Sequence, residues 1–473
     1  MKKLFLMFVL TVCAFFGTHA ANKTDKRTAM RNIKRAMAIV DATWEKTMRG
    51  TEDNLYMADV YNTQTGEVSG PSDVWPYTAA IEAHCSLLEA LQTVKKVNEK
   101  LYNEKWFKYK HQLDLLINNL EYYRGTYKLS SYATTDKRWS PFAVPRASKK
   151  GGADVSGILN VYDDQMWLSR ELIRAYRLTD NKEYLDLATY LADYVLEGWD
   201  CWRDASGKEY GGITWGPGYN SKHSCSNAPI IQPLVWLHGL YKGSGAETEY
   251  YYRDANNSVK HETRLRSDLY LEFARKVYDW QKDRLLHESG VFWDMMGADN
   301  TIKVLHGYRQ HVDCGDPCGS LISYNTGTMI SGASELFKVT GDGTLRTDLT
   351  AMVGASVNKF SKYMRSQKAY LFNTDKTAEN GFNTWFNDVL MRSYIDAFPY
   401  AGNAMATTGL ESFQKFLDYA FENHNRGNML PIHLFDGWGD EVKTKGFHQF
   451  SFASEYAMLA VYLLEKNNIY GGI

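Results

Sequence analysis

The feature that most constrains this chain is a repeated order of segments. An amphipathic helix is followed by a short Thr/Gly/Asp turn, a second helix, and a long loop rich in glycine and aromatic residues. Met166, Trp167, Leu172, Ile173, Tyr176 and Leu178 recur at helical spacing. Thr179-Asp180-Asn181 then turns the chain, residues 183–197 return it, and a loop runs from Gly198-Trp199-Asp200 to Gly216. Helical patterns recur over 32–44, 75–97, 106–123, 227–241, 267–286, 324–339, 345–364, 382–398, 409–423 and 452–464. The 324–339 and 345–364 pair is joined by Thr340-Gly341-Asp342-Gly343. Residues 124–158 and the polar insert 242–264 read as loops, and long irregular stretches in compact domains are usually functional. A period of roughly 50 to 80 residues is too irregular for a solenoid of the short-repeat kind. About a dozen helices in hairpins instead fit a closed double ring, the all-α (α/α)6 toroid, with the loops gathered at one end as a cleft. Ten prolines and no low-complexity linker make residues 21–473 a single domain.

Residues 1–20 read as a secretory signal: Lys2 and Lys3, an apolar run from Leu4 to Phe16, and Thr18-His19-Ala20 before the cleavage point. The expectation is an exported, periplasmic or extracellular protein without a membrane span. Cys13 stands where a lipoprotein would be acylated, but Val12 precedes it where a small residue is expected. A formal net charge of -1 argues against a nucleic-acid partner and fits a neutral polymer as substrate, with the protein expected to act as a monomer. Five cysteines remain in the mature chain. Cys201 and Cys225 bracket a loop that a disulfide would close, Cys314 and Cys318 bracket a tighter one, and Cys85 is left over. His306, His311, Cys314 and Cys318 match no standard zinc spacing, so no metal and no cofactor are expected.

The chemistry falls on Asn160-Val161-Tyr162-Asp163-Asp164-Gln165-Met166-Trp167. Neighbouring side chains within a helix diverge by roughly 100°, because a turn takes about 3.6 residues. A pair at the N-cap and first helical position escapes that limit, since the cap residue has non-helical dihedrals. Asp163 and Asp164 placed there would share a cavity, with the helix dipole favouring an ionised carboxylate. Ordinary N-capping is the plainer reading of such a pair. The company it keeps favours chemistry: aromatics make up 14% of the chain, with 32 Tyr and 13 Trp, and polar groups among aromatic planes suit a sugar cleft.

Tyr162-Asp163-Asp164-Gln165-x-Trp167 resembles the signature of family 76 glycoside hydrolases, the endo-acting α-1,6-mannanases. Gly198-Trp199-Asp200 with Gly211-Gly212-Ile213-x-Trp215, Ser221-Lys222 through Ser226-Asn227, and Tyr324-Asn325-x-Gly327 with Thr340-Gly341-Asp342 resemble further family motifs in the expected order. Asn387-Asp388 stands where a Lys-Gly pair is expected, and the 242–264 insert and the 314–318 loop look additional. The resemblance implies a retaining mechanism on α-mannan, with Asp163 as nucleophile and Asp164 as acid/base. It makes Tyr162, Gln165, Trp167, Trp215 and Tyr324 candidates to line the sugar. Asn220, Asn227 and Asn325 would bond hydroxyls, Asp294 a ring near the cleavage point, and Gly211 and Gly212 would admit substrate to the backbone. For each of these the alternative is core packing or loop capping. Rival readings are a transglycosylase, a toroid enzyme of the unsaturated glucuronyl hydrolase kind, and a non-catalytic glycan-binding protein.

Overall fold

Turn chemistry sets the helix hairpins. At Thr179-Asp180-Asn181, the Thr179 hydroxyl donates to Ala175 O, Asp180 takes a left-handed φ of 57°, and Asn181 Oδ1 accepts from Glu183 N at 3.0 Å. Thr340-Gly341-Asp342 repeats the device: Thr340 donates to Leu336 O, Gly341 has φ 69°, and Asp342 Oδ1 accepts from Thr344 N at 3.0 Å. Each turn closes one helix and caps the next within three residues, which forces an antiparallel pair.

The computed structural model describes residues 23–297, 301–372, 383–402 and 404–470. Twelve α-helices lie among them: α1 (Lys23–Thr47), α2 (Val74–Val94), α3 (Glu99–Asn119), α4 (Tyr162–Thr179), α5 (Lys182–Leu196), α6 (Ile231–Tyr241), α7 (Arg266–Leu285), α8 (Ser323–Thr340), α9 (Gly343–Phe360), α10 (Asn383–Ala397), α11 (Ala404–Asn423) and α12 (Gly446–Tyr470). The even-numbered helices pack each on the next, α2 on α4 through to α12 on α2, and close an inner ring. The odd-numbered helices clad it, most of them against their hairpin partners, as α5 on α4 and α7 on α6. This is the expected (α/α)6 toroid. Inner helices are buried nearly all round, as α2 shows from Val74 to Val94, whereas α3 buries one stripe.

The ring interior is not uniformly apolar. Glu82 of α2 accepts from Arg392 of α10 and lies 3.5 Å from Arg170 of α4, while Arg174 bonds Glu171 at 2.6 Å and Glu89 at 2.7 Å. These charges tie three inner helices together across the axis, where breaking one partner would leave an unpaired buried ion.

Several local expectations change. The 242–264 insert is an antiparallel hairpin, Glu247–Arg253 with Val259–Leu265, because Thr, Tyr and Val alternate with polar residues as a half-exposed strand requires. The helix expected over 345–364 stops at Phe360, and Ser361–Met364 pairs instead with Ala369–Phe372. The 124–158 loop contains the short hairpin Tyr127–Leu129 with Lys137–Trp139. All five described cysteines are free thiols, so neither expected disulfide forms. Cys201 and Cys225 are each buried, and Cys314 turns inward to the carbonyl of Asn220 while Cys318 is exposed. Among the described residues no three His, Cys, Asp or Glu side chains gather to hold a metal ion, and no helix is long and apolar enough to cross a membrane. The expected export signal, 1–20, lies outside the described residues.

Candidate active site

The first turns of the inner helices converge on one mouth. Trp75 and Ala79 of α2, Trp167 of α4, Tyr324 of α8, Trp385, Phe386 and Val389 of α10 and Phe447 of α12 form one aromatic cluster, joined by Cys225 and Trp215 from the loop before α6. It is separate from the main core. The inner helices thus present their N-terminal ends to this mouth, where aligned peptide dipoles favour negative charge.

Asp163 and Asp164 stand here, but not at the cap. Val161 is the N-cap, extended at φ -122° and ψ 146°, and Tyr162 is the first helical residue. The acids are the second and third residues of α4, so their side chains diverge, and the two carboxyls meet different surroundings. Asp163 is partly exposed, whereas Asp164 is 6% exposed.

Burial raises the Asp163 pKa to about 6, while the Cys225 thiol, the Trp215 indole and the backbone N–H groups of Asp163 and Asp164 pull the other way. Neither Asp163 Oδ1 nor Trp215 Nε1 completes a hydrogen bond. Burial also pushes Asp164 well above the usual carboxylate range, and the charges of Asp163 and Asp73 push it further in the same direction. The two acids therefore divide into one that ionises more readily and one held protonated. Burial likewise keeps Cys225 a thiol, so it serves Asp163 as a donor.

The other sequence candidates take varied roles. Asn325 Nδ2 lies 3.5 Å from Asp294 Oδ1, and Asp294, its pKa raised by burial, stands near Cys225 and Tyr324. Trp215 is partly exposed and stacks on His223 at 4.6 Å, whose pKa burial lowers to about 4. Trp167 packs edge-on against Trp385 at 4.7 Å, and Tyr324 stacks on Phe386 at 4.5 Å; both are nearly buried and form walls.

Six expected substrate contacts are corrected by what these residues already hold or admit. Gln165 spends its amide on Phe142 N and O and Val161 O. Asn227 clamps Ile213 N and O and His223 O, and Asn220 bonds Thr301 O. Tyr162 is buried against Tyr194 and the space over Gly198. Gly211 and Gly212 admit an indole rather than substrate: both have positive φ, and a Cβ on Gly212 would sit 2.5 Å from Trp280 Cε2. These residues shape the loop that brings Trp215 to Asp163. Buried Arg309 strengthens it by donating to the carbonyls of Gly216, Pro217 and Tyr219.

Trp75, Trp385, Phe386, Phe447 and His223 were not singled out from sequence, and Cys225 was read only as half of a disulfide. The aromatic residue in the first turn of most inner helices was the available signal, legible only once those helix starts were known.

Fold and site together define an (α/α)6 toroid built around an unequal pair of adjacent carboxyls in an aromatic mouth. Glycosyl hydrolase family 76 matches this chain over residues 40–265 and 262–408, and the chain belongs to that family. It is 25% identical over 261 residues to mannan endo-1,6-alpha-mannosidase DFG5 of Saccharomyces cerevisiae, covering 54% of this chain and 50% of that one. It is 22% identical over 211 residues to mannan endo-1,6-alpha-mannosidase DCW1 of Candida glabrata, covering 44% and 39%. The chain spans about half the length of the curated relatives it matches. Among solved structures, a family 76 mannosidase from Bacteroides thetaiotaomicron superposes with TM-score 0.65 at 19% identity, covering 93% of this chain and all of that one. An α-1,6-mannanase of Salegentibacter superposes with TM-score 0.57 at 16% identity, covering 91% and 99%. That structure is of an inactive variant, with two consecutive aspartates changed to asparagine, in complex with α-1,6-mannotriose.

Proposed function

We propose that this protein is an endo-acting glycoside hydrolase that cleaves α-1,6-mannosidic linkages with retention of configuration. The observation that carries the reading is the inequality of the two acids. Asp163 has donors beside it and ionises near pH 6, while Asp164, buried and with the charges of Asp163 and Asp73 adding to the effect, keeps its proton. In the first step an ionised Asp163 oxygen bonds the anomeric carbon, and Asp164 passes its proton to the departing glycosidic oxygen. Departure of that chain leaves a mannosyl ester on Asp163, and Asp164, now a carboxylate, takes a proton from water. The water oxygen then displaces Asp163, which restores both acids and gives the same anomer as the substrate. Retention uses a carboxyl separation of about 5 to 5.5 Å, which this reading requires Asp163 and Asp164 to reach across the substrate.

The paired aspartates of the Salegentibacter structure, and the mannosidase relatives, support the substrate class. Trp215 and Phe386 supply partly exposed aromatic surface at the mouth, and Asp294 with Asn325 supplies polar groups for hydroxyls. The reading includes export, with residues 1–20 as the signal and the toroid acting alone on polysaccharide.

The test is release of reducing ends from linear α-1,6-mannan by the wild type, Asp163→Asn and Asp164→Asn. Each substitution is expected to lower the rate by about 10² to 10⁴-fold or more. Undiminished hydrolysis in both variants would remove the acidic pair from the mechanism. Binding without turnover by the wild type would make this a glycan-binding protein, and longer products at high donor concentration would make it a transglycosylase.

A further inference from the structure

A second depression lies outside the aromatic mouth. The strand Lys222–His223 pairs with Met295–Met296, which pairs in turn with Pro317–Cys318. Successive strand residues point to opposite faces. His223 accordingly faces Trp215, while Lys222 faces away, toward Asp200. On that far side is a depression of about 260 Å³, lined by Tyr210, Lys222, Trp280, Arg284, His311 and Asp313. That is below the roughly 300–1,000 Å³ of pockets that enclose a whole ligand, and is room for a single sugar unit laid in an open cleft.

Its walls are held in place without a ligand. Buried Asp200 accepts from Lys222 Nζ at 2.9 Å and from His311 Nδ1 at 2.7 Å, and both neighbours hold it ionised against burial. Lys222 also donates to Gly211 O. The imidazole of His311 lies flat on the Tyr210 ring, 3.5 Å between centroids and 10° between planes. Trp280 is fixed by its Nε1–H donating to Tyr210 O at 3.1 Å. Tyr210 is nevertheless 37% exposed, so its ring is covered by the imidazole on one face and offers an open surface beyond it.

The charges nearly cancel. Lys222 is paired with Asp200, and Arg284 and Asp313 bring one charge of each sign to the lining. An anionic ligand would gain little here. A neutral ligand with vicinal hydroxyls and an apolar C–H face fits better, because guanidinium and carboxylate groups take hydroxyl pairs and an aromatic ring takes the C–H face. Part of the lining, His311, Asp313 and Cys314, comes from a segment with no counterpart among the motifs that carry the family resemblance.

We propose that this depression is a second glycan-binding site, which takes neutral hexose units of the polysaccharide or of its side branches apart from the acidic pair. It rests on the reading of the protein as a mannan-active enzyme, and its test separates the two. Tyr210→Ala and Arg284→Ala are each placed in an Asp163→Asn chain, and mobility is measured by electrophoresis through gels containing soluble α-mannan. The same two substitutions in the active chain are assayed on an aryl α-1,6-mannobioside. The proposal expects the apparent affinity for mannan to fall about tenfold, a loss near 1.4 kcal/mol, with turnover of the small substrate unchanged. Unaltered retardation overturns it. A parallel loss of small-substrate turnover also overturns it, since the depression would then belong to the catalytic cleft. If the wild type neither cleaves nor binds α-mannan, the functional reading fails by itself. The same gels made with neutral β-mannan and α-glucan then decide the site, and retention on neither overturns it.

Discussion

Replacing Gly212 by alanine tests how the loop that carries Trp215 is built. Gly212 has φ 79°, and an added Cβ would lie 2.5 Å from Trp280 Cε2 and 2.8 Å from Cη2. Carbon atoms in ordinary contact stand about 3.5–4.0 Å apart. The backbone conformation alone costs about 1–2 kcal/mol for a residue with a side chain. Forcing the indole aside adds about 1–3 kcal/mol of overpacking. If Trp280 swings, its bond to Tyr210 O is lost, a further 1 kcal/mol or about that. The expected destabilisation is therefore about 3–6 kcal/mol. Gly243→Ala is the control, because Gly243 has φ 77° with nothing within 4 Å of its would-be Cβ. It should cost only the backbone part, about 1–2 kcal/mol. Urea unfolding of both variants beside the wild type measures the difference. Equal shifts in midpoint would refute the claim that these glycines exist to admit the Trp280 ring.

Other expectations follow from the acids. The acid limb of kcat/KM should fall near pH 6, where Asp163 takes up a proton. Cys225→Ala removes a donor that favours the Asp163 carboxylate, so that limb should move to higher pH; a pH–rate profile that stays in place would remove the thiol from the site. Asp388 of α10 is fully buried with neither carboxyl oxygen bonded, and burial with Glu82 and Glu455 nearby raises its pKa well above the ordinary value. A carboxyl whose folded pKa is raised contributes its stability below its unfolded pKa of about 3.9 and loses it as pH rises through the folded value. Asp388→Asn should therefore raise Tm relative to wild type by more at about pH 8 than at about pH 5. A pH-independent difference in the two melting curves would contradict it.

Helical periodicity was enough to foresee the toroid because inner and outer helices must each bury a face, and the Thr179 and Thr340 turns announce their hairpins in sequence. Boundaries were harder. Pro229 falls in a single 3-10 turn, Ala228–Ile230, so α6 starts at Ile231 rather than Asn227. Strand-forming residues at 361–364 were absorbed into a helical pattern because the pairing partner, Ala369–Phe372, cannot be read from the strand itself. The acidic pair was legible as a pair, but its position was not. Val161 carries no capping side chain, so sequence placed the cap two residues late on Asp163. Asn227 and Gln165 were read as hydroxyl ligands since an amide looks alike whether it meets a sugar or a backbone. Only the fold reveals that Ile213 and Phe142 occupy them. Cys225 was taken as half of a disulfide, and its approach to Asp163 depends on how the loop before α6 folds back over α4.

The division of labour between the two carboxyls is tested most directly by trapping the intermediate. With Asp164→Ala and an α-1,6-mannobioside bearing a good leaving group, the first step needs no proton donor, whereas the second lacks its base. A mannosyl ester should accumulate, and tandem mass spectrometry of the peptide spanning α4's first turn should place the added sugar on Asp163. A sugar carried by any other residue, or none at all with product released as the opposite anomer, would contradict the account.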